Sequence, residues 1–194
     1  MSGNGSNLQA LLDGEKAGIF NGKISMVISD RTGVYALERA KNAGVSSLVI
    51  EPDKTLPKDQ RRRDISEKIL RITKDRNIGL IVLAGFLSIL TGDILQKFSG
   101  RIINLHPALL PKFGGAGMYG ANVHQAVLDA GETESGCTVH LVDSGIDTGE
   151  ILLQRKIPIL LGDTAETVAE RIHLEEHIAI VEAVKIMVQR LSRQ

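Results

Sequence analysis

The chain has 194 residues, of which 43% are hydrophobic and 24% are charged, a mixture typical of a globular protein with one domain. Its 23 basic and 23 acidic side chains balance, which argues against a general nucleic-acid surface. The single cysteine, Cys137, excludes an internal disulfide. Together with the lack of a signal-like N-terminus and of any apolar run near the ~20 residues of a membrane span, it predicts a cytoplasmic protein.

Apolar runs and helical patterns alternate along the chain. Strands are predicted at the short, β-branched apolar runs 24–29, 46–50, 79–84, 101–104, 137–142 and 151–157. Helices are predicted at 8–17, 34–43, 58–76, 92–98, 122–130 and from about 164 to the end. This alternation is typical of an α/β fold with a doubly wound, mostly parallel sheet and helices on both faces. Residues 1–194 are predicted to form a single domain.

A glycine-rich turn, Ser2-Gly3-Asn4-Gly5-Ser6-Asn7, precedes the first predicted helix. Glycines let the backbone approach an anion closely, and a helix start offers unpaired N–H groups and the positive end of a dipole. A phosphate is therefore the natural ligand, although a capping turn without a ligand has a similar sequence. Such a turn normally follows a strand, and the strand that should lead into it is absent from the sequence.

A dinucleotide site is the nearest alternative for this turn. Asp30 follows the next strand at about the distance at which such sites place a ribose-binding acid. Against this alternative, the position of the third glycine is occupied by Leu8. The turn is not a Walker loop either, because no Lys-Ser or Lys-Thr pair follows the glycines.

The segment Asn104-Leu105-His106-Pro107 is more informative. Residues two apart in an extended segment point to the same side, and Pro107 biases His106 toward extended geometry. An amide beside an imidazole can polarise a carbonyl, hold an oxyanion and assist proton transfer. Asp147 lies in a loop between two predicted strands, and a carboxylate near an imidazole would favour its charged form. Taken alone, a His-Pro pair before a loop is more often structural, and an Asp in a glycine-flanked loop is usually a turn residue.

Taken together, these segments resemble the phosphoribosylglycinamide formyltransferases of purine biosynthesis over nearly the whole chain. The resemblance is carried by the glycine turn, by Leu83-Ala84-Gly85-Phe86, by Asn104-Leu105-His106-Pro107-Ala108-Leu109-Leu110-Pro111, by Gly136-Cys137-Thr138-Val139-His140 with Asp147, and by Glu176-His177. The Asn-x-His-Pro-x-Leu-Leu-Pro block marks the wider folate-dependent formyltransferase superfamily. The opening turn and the compact length narrow the resemblance to this member.

The resemblance implies a catalytic centre of Asn104 and His106, which would stabilise a tetrahedral intermediate, with Asp147 raising the pKa of the histidine. The residues implied to bind the phosphate and glycinamide parts of the substrate are Gly5, Ser6, Asn7, His173 and Glu176. Those implied to bind 10-formyltetrahydrofolate are Leu87, Ser88, Ile89 and Leu90, largely through their backbone, together with Asp143, Ser144, Gly145 and Ile146. Family members also have a folate-contacting Arg within residues 61–63, for which we choose Arg61.

The resemblance also implies a division of labour within the domain. The N-terminal half, about residues 1–100, would bind phosphate, and residues 101–194 would bind folate and carry the catalysis. The partners would be the small molecules glycinamide ribonucleotide and formyl folate, with no nucleic acid and no membrane. A homodimer is one alternative for the oligomeric state. No metal is expected, because no Cys/His cluster has ligand spacing.

Three departures from the family pattern stand out. The family often has Met-Arg where this chain has Leu87-Ser88, and the glycine-rich loop 114–120 is longer than in many members. The strand that should precede the glycine turn is central in this fold. Its loss would remove apolar side chains worth about 1.5–3 kcal/mol each and expose the backbone edges of its neighbours. We therefore expect the natural start to lie upstream of Met1.

Other functions share parts of these motifs. A methionyl-tRNA formyltransferase shares the catalytic block but carries a C-terminal tRNA domain, and a formyltetrahydrofolate hydrolase usually carries an N-terminal regulatory domain. A different class, an NAD-dependent oxidoreductase or a catalytically silent nucleotide-binding module, has Asp30 as its best support. The remaining histidines and Cys137 are predicted to have packing roles, except for His173 beside the substrate.

Overall fold

The computed structural model describes residues 1–193, in which six helices and six strands follow one another along the chain. The helices are α1 (Ser6–Lys16), α2 (Tyr35–Asn42), α3 (Lys58–Asp75), α4 (Asp93–Lys97), α5 (Ala121–Asp129) and α6 (Ala165–Leu191). The strands are β1 (Val27–Ser29), β2 (Ser47–Val49), β3 (Ile81–Ala84), β4 (Ile102–His106), β5 (Glu134–Leu141) and β6 (Ile151–Pro158). Each predicted element is present, with ends that differ by a few residues.

The strands form two sheets. β1 pairs with β2 in parallel, and the second sheet has the order β3-β4-β5-β6. Within it β3 and β4 are parallel, whereas β5 runs antiparallel to both β4 and β6. The predicted α/β class with parallel strands and helices is confirmed, and the antiparallel direction of the β5–β6 hairpin was not foreseen.

Helices cover both faces of the larger sheet. On one face, α1 and α6 pack against the side chains of β4 that include Ile103 and Leu105. On the other, α3 and α4 pack against Ile102. Because side chains alternate across a strand, Asn104 and His106 lie on the same face as Ile102, where β4 extends past the helices toward the loops. The fold therefore presents these two polar side chains together at the carboxyl end of a central strand.

The edge of the larger sheet that is formed by β3 borders a cavity. β1 and β3 belong to different sheets, and a cavity of about 510 Å³ lies between them. Its walls are mainly apolar and include the stretches 24–28 and 80–84 with side chains of α1, α3 and α6. The strand that is expected ahead of the glycine turn would fit between β1 and β3.

The first two residues bond to both sides of this cavity. The Met1 amino group donates to the Ile28 carbonyl at 2.9 Å, and the Ser2 N–H donates to the Gly85 carbonyl at 2.8 Å. Consecutive residues that bond alternately to two neighbours follow the pattern of a strand between two parallel strands. Residues 1–2 thus have the hydrogen bonds of a strand end at the mouth of the cavity.

Within residues 1–193, no helix combines the length and the apolar character that a membrane crossing requires.

Candidate active site

Asn104 and His106 converge on one carboxylate at the end of β4. The Asn104 amide nitrogen lies 3.5 Å from Asp147 Oδ1, and His106 Nδ1 lies 3.6 Å from Asp147 Oδ2. His106 is almost fully buried, and Asn104 is partly buried. The structure therefore brings together the three residues that the sequence singled out as a catalytic centre.

Asp147 reaches this position through an unusual backbone conformation. Its φ is +58°, in the left-handed region, where Asp is one of the few non-glycine residues found with any frequency. The N–H of Gly115 donates to its Oδ2 at 3.0 Å and fixes the carboxylate. Gly114 packs against the same residue, since a Cβ added there would lie 3.3 Å from the Asp147 Cβ and 2.6 Å from Leu110 Cδ2. The glycine-rich loop 114–120 thus holds the carboxylate against β4.

The charged form of His106 suits its surroundings. Its Nε2 lies 2.8 Å from the Phe113 carbonyl, an acceptor, so this nitrogen carries the proton in the neutral ring. The unprotonated Nδ1 then faces Asp147, which can only accept. A second proton on Nδ1 would give both ring nitrogens an acceptor. The site therefore offers His106 a proton-accepting nitrogen beside a carboxylate.

Burial nevertheless lowers the pKa of His106 below its ordinary value. The negative charge of Asp147 and the hydrogen bond to Phe113 raise this pKa, but their combined effect is smaller than that of desolvation, and His140 lowers it further. Asp147 thus raises the pKa of His106 as expected, but burial of the ring, which the sequence did not reveal, makes the net shift downward. In the unliganded site the neutral imidazole is favoured.

The carboxylate of Asp147 remains ionised over a wide pH range. Burial raises its pKa, but this is outweighed by the His140 and Gly115 hydrogen bonds and by the charges of His106 and His140, so the net pKa lies below its ordinary value. A carboxylate that keeps its charge beside a neutral imidazole can stabilise the imidazolium formed when the ring takes up a proton.

His140 supports this arrangement from the neighbouring strand β5. Its Nε2 lies 3.1 Å from the Asn104 amide nitrogen and 3.5 Å from Asp147 Oδ1, while its Nδ1 donates to the carbonyl of Leu141 at 2.9 Å. With the proton on Nδ1, a neutral ring accepts from the Asn104 amide at Nε2, whereas a charged ring donates from Nε2 to Asp147. His140 thereby orients Asn104, in line with the packing role expected for it.

A second cluster forms around the glycine turn and the start of α1. Gly5 precedes the helix with a φ of +78°, and its lack of a side chain leaves the N–H groups of the first helical turn uncapped. Asn7 donates from its amide to Glu176 Oε2 on α6 at 3.2 Å. The Oδ1 of Asn7 is buried and has no partner among the described residues. The structure therefore joins the glycine turn to the distant Glu176 through Asn7.

Glu176 carries a buried carboxyl group next to a partly exposed histidine. Burial raises its pKa, whereas the Asn7 hydrogen bond and the charge of His173, whose Nε2 lies 3.8 Å away, lower it, and the net pKa is raised. Buried carboxyl groups with raised pKa values are frequent in binding sites.

His124 lies near the second cluster, on a helix that packs against the helix of Glu176. It is buried on α5, and its pKa is lowered by burial and then by the charges of His173 and His106. The Nδ1 of His124 has no partner within residues 1–193.

Residues 87–90 follow the carboxyl end of β3. Leu87 is exposed and Leu90 is buried in the core with Ile94, while Ser88 and Ile89 are partly buried. The Leu87 N–H donates to Ser2 Oγ at 2.9 Å. The Ser88 hydroxyl donates to Asp30 Oδ2 at 2.8 Å, so this oxygen of the buried Asp30 carboxylate bonds to the protein itself. The side chain of Leu90 is thus unavailable to a ligand, whereas the backbone of this segment follows the sheet edge.

The loop that leads to Asp147 is tightly folded. Asp143 Oδ1 accepts from the Gly145 N–H at 3.0 Å and from the Thr148 hydroxyl at 2.7 Å. These bonds occupy the Asp143 side chain and shape the loop in which Ser144, Gly145 and Ile146 lie beside Asp147. Any contact of Asp143 with a ligand through Oδ1 would compete with this turn.

The arginine run at the start of α3 contains one unsatisfied donor. Arg61 is partly buried, and its Nε has no partner among the described residues. Arg62 instead lies 3.7 Å from Asp59, and Arg63 is exposed. Of the three, Arg61 has the buried, unused N–H that a carboxylate or carbonyl of a ligand could satisfy.

Several residues in these clusters were not singled out individually from the sequence. Gly114, Gly115 and Phe113 hold Asp147 and His106, and Arg39 bonds to the glycine turn at Asn4. The cluster of glycines in residues 114–120 was the available signal, since glycine permits close backbone approach. No sequence pattern pointed to Arg39, because its contact depends on how α2 packs.

Comparisons with known proteins show a family to which the chain is similar over most of its length. A family model described as formyl transferase matches residues 1–184. The chain is 43% identical over 198 aligned residues to the trifunctional purine biosynthetic protein adenosine-3 of Drosophila pseudoobscura pseudoobscura, an alignment that covers 100% of this chain and 14% of that protein. It is 35% identical over 187 residues to the chloroplastic phosphoribosylglycinamide formyltransferase of Vigna unguiculata, covering 96% of this chain and 59% of that protein.

A solved structure shows the same similarity. Glycinamide ribonucleotide transformylase 1 from Symbiobacterium toebii superposes with a TM-score of 0.85 at 38% identity, covering 97% of this chain and 85% of that one. The chain spans less than two thirds of the length of both curated relatives above.

Proposed function

The chain belongs to the formyl transferase family, and we propose that it transfers the formyl group of 10-formyltetrahydrofolate to the amine of 5-phosphoribosylglycinamide, a step of purine biosynthesis. The observation that carries the proposal is the convergence of Asn104 and His106 on Asp147 at the end of β4. The phosphate-type turn at Gly5 joined to Glu176 supports the acceptor.

In this proposal the acceptor amine attacks the formyl carbon directly and a tetrahedral intermediate forms. The Asn104 amide and His106 donate hydrogen bonds to its oxygen, which carries negative charge only after the attack. Donors aimed at such an oxygen typically contribute 10²–10³-fold in rate. The Phe113 carbonyl now occupies His106 Nε2, and the intermediate would take its place.

Proton transfer in this scheme uses the pair of His106 and Asp147. The neutral ring presents its unprotonated Nδ1 toward the carboxylate while Nε2 faces the intermediate, so a water would carry the proton released by the attacking amine to Nδ1. Asp147 then stabilises the imidazolium, and the proton passes to the leaving nitrogen of the folate. The carbon–nitrogen bond to folate breaks as the amide of the product forms.

The acceptor would bind at the second cluster. Its phosphate meets the uncapped N–H groups at the start of α1, together with the side chains of Ser6 and Asn7. Its glycinamide group would meet Glu176 and His173, whose side chains lie 3.8 Å apart. The folate would lie along residues 87–90 and 143–146, with Arg61 offering its unused donor.

The test is a spectroscopic assay of the folate after mixing protein, 10-formyltetrahydrofolate and glycinamide ribonucleotide. Asn104→Ala should reduce turnover about 10²–10³-fold, and His106→Ala should reduce it comparably. The matched control is Asn42→Ala, the same change on the exposed face of α2.

The possible outcomes separate the competing functions. Deformylation that requires the ribonucleotide and is lost in Asn104→Ala supports the proposal. Folate turnover without the ribonucleotide would indicate a hydrolase. Binding of NAD without folate binding would indicate a dinucleotide protein, and no turnover by the folded protein would refute the transferase proposal.

A further inference from the structure

Arg39 on α2 holds the glycine turn through two charged hydrogen bonds. Its Nε donates to the Asn4 carbonyl at 3.0 Å, and its Nη2 donates to Asn4 Oδ1 at 2.9 Å. Both acceptors belong to the residue at the centre of Gly3-Asn4-Gly5. Two donors from one planar guanidinium fix both the position and the orientation of that residue.

The same guanidinium also reaches the helix that follows the turn. Arg39 Nη1 donates to Gln9 Oε1 on α1 at 3.1 Å, and the guanidinium carbon lies 4.7 Å from the centre of the Tyr35 ring. Arg39 is partly buried. It therefore connects three elements, α2, the glycine turn and the first helical turns of α1, with each of its three nitrogens engaged.

The start of α2 packs against the glycine turn. The Ala36 N–H donates to the Gly3 carbonyl at 3.3 Å. A Cβ added at Gly5 would lie 2.7 Å from the Ala36 Cβ and 2.8 Å from its Cα. The turn thus rests directly on Ala36, and Arg39, one helical turn later, bonds to it from the side.

We propose that Arg39 is a positioning residue for the phosphate of the acceptor. It keeps the glycine turn in the conformation in which the first N–H groups of α1 are open to the anion. This inference rests on the proposed function of that turn. We infer that Arg39 acts through Asn4 rather than on the phosphate itself, because three of its five N–H groups donate to protein acceptors and two of these three bonds go to Asn4.

Positioning predicts a particular pattern of defects. Without the two hydrogen bonds from Arg39 to Asn4 the turn samples other conformations, so the affinity for the phosphate falls. The catalytic centre at the end of β4 is not changed. A lysine carries the charge but has a single ammonium instead of a planar fork, so it cannot reproduce the paired bonds. Charge alone would give a different pattern, since lysine would then substitute fully.

The experiment compares Arg39→Met and Arg39→Lys with Arg190→Met, a control near the end of α6 whose arginine pairs with the exposed Glu150. Calorimetry measures ribose 5-phosphate binding. Steady-state kinetics compares glycinamide ribonucleotide with its dephosphorylated riboside. Thermal unfolding monitors whether each variant is folded.

The expected result is about tenfold weaker ribose 5-phosphate binding in Arg39→Met, with a similar rise in KM for the ribonucleotide and little change in kcat; tenfold corresponds to about 1.4 kcal/mol. Arg39→Lys should lie close to Arg39→Met, and the riboside should react equally with all variants. Wild-type affinity in Arg39→Met or in Arg39→Lys, or an equal loss with the riboside, would overturn the inference.

Failure of the proposed function gives a different result. If the wild type binds ribose 5-phosphate but transfers no formyl group, the transferase proposal fails, and the calorimetric comparison alone decides the role of Arg39. If the wild type does not bind ribose 5-phosphate, the turn is not a phosphate site and the inference is refuted.

Discussion

An added strand in the cavity between β1 and β3 should stabilise the protein strongly. The perturbation is five residues, Val-Ile-Val-Val-Ile, placed ahead of Met1. At about 3.3 Å per residue they span about 17 Å, which matches the five-residue walls at 24–28 and 80–84. Met1 and Ser2 already bond to the two sides in the strand pattern, so the added segment would continue an existing ladder.

The size of the effect follows from the cavity. At about 24 cal/mol per Å³, the 510 Å³ between the sheets corresponds to an upper bound of about 12 kcal/mol. Ordering five residues costs about 1–2 kcal/mol each, and the new ladder bonds return about 1 kcal/mol each. With about five new bonds these figures leave an upper bound of about 7–12 kcal/mol, and at about 2–4 °C per kcal/mol for a domain of this size we expect Tm to rise by at least about 10 °C.

Thermal and urea unfolding measure the change, against two controls of equal length. Gly-Ser-Gly-Ser-Gly lacks apolar side chains, and Val-Ile-Pro-Val-Ile lacks a ladder N–H in its middle. Hydrogen exchange should show new protection of the β1 and β3 amides only with Val-Ile-Val-Val-Ile. If that extension raises Tm no more than the Gly-Ser segment, the cavity is not a strand site and the reasoning is refuted.

Three further predictions concern single groups. Asp147→Asn removes the negative charge 3.6 Å from His106 Nδ1. The pKa of His106 should therefore fall further, and activity should drop by about 10²-fold. A pH–rate profile in which the pKa assigned to His106 is the same as in the wild type would contradict this. Gly5→Ala combines a φ of +78° with a Cβ 2.7 Å from the facing alanine of α2, and should cost about 2–4 kcal/mol in urea unfolding. Gly18→Ala, with a φ of +68° in open space, should cost only the backbone part, about 1–2 kcal/mol, and equal losses in the two variants would contradict a steric role. Burial lowers the pKa of the Met1 amino group from 8.0 to about 6. In a protein that begins at Met1, the unfolded chain binds this proton more tightly, so stability should rise by about 2 kcal/mol from pH 6 to pH 8; N-terminal acetylation should flatten that rise, and an unchanged slope after acetylation would refute the assignment.

The shared face of Asn104 and His106 was predictable because strand periodicity is local. A residue spacing of two and a following proline were enough to place both side chains together. The contact of Asp147 was not predictable, because it depends on a left-handed backbone conformation and on a hydrogen bond from Gly115, more than thirty positions earlier in the chain. Such loop contacts leave no periodic signal.

The direction of β5 and β6 and the depth to which His106 is buried could not be predicted from the sequence either. Short apolar runs mark β5 and β6 as strands but do not encode whether they run parallel or antiparallel to β4. The net pKa of His106 depends on desolvation by neighbours from several elements, and this desolvation outweighs the expected upward effect of Asp147. Both quantities are set by tertiary packing.

The first residues of the chain connect the cavity to both ligand regions. Met1 bonds to β1, Ser2 bonds to Gly85 and accepts from the Leu87 N–H, and the Gly3 carbonyl accepts from α2. The backbone proposed to hold folate and the turn proposed to hold phosphate are therefore anchored to the same few residues. Because those residues close one end of the cavity, a strand that fills it would restrain both binding segments at once. Added rigidity there would lower the conformational cost of binding each ligand, so the strand extension should tighten ribose 5-phosphate binding as well as raise Tm.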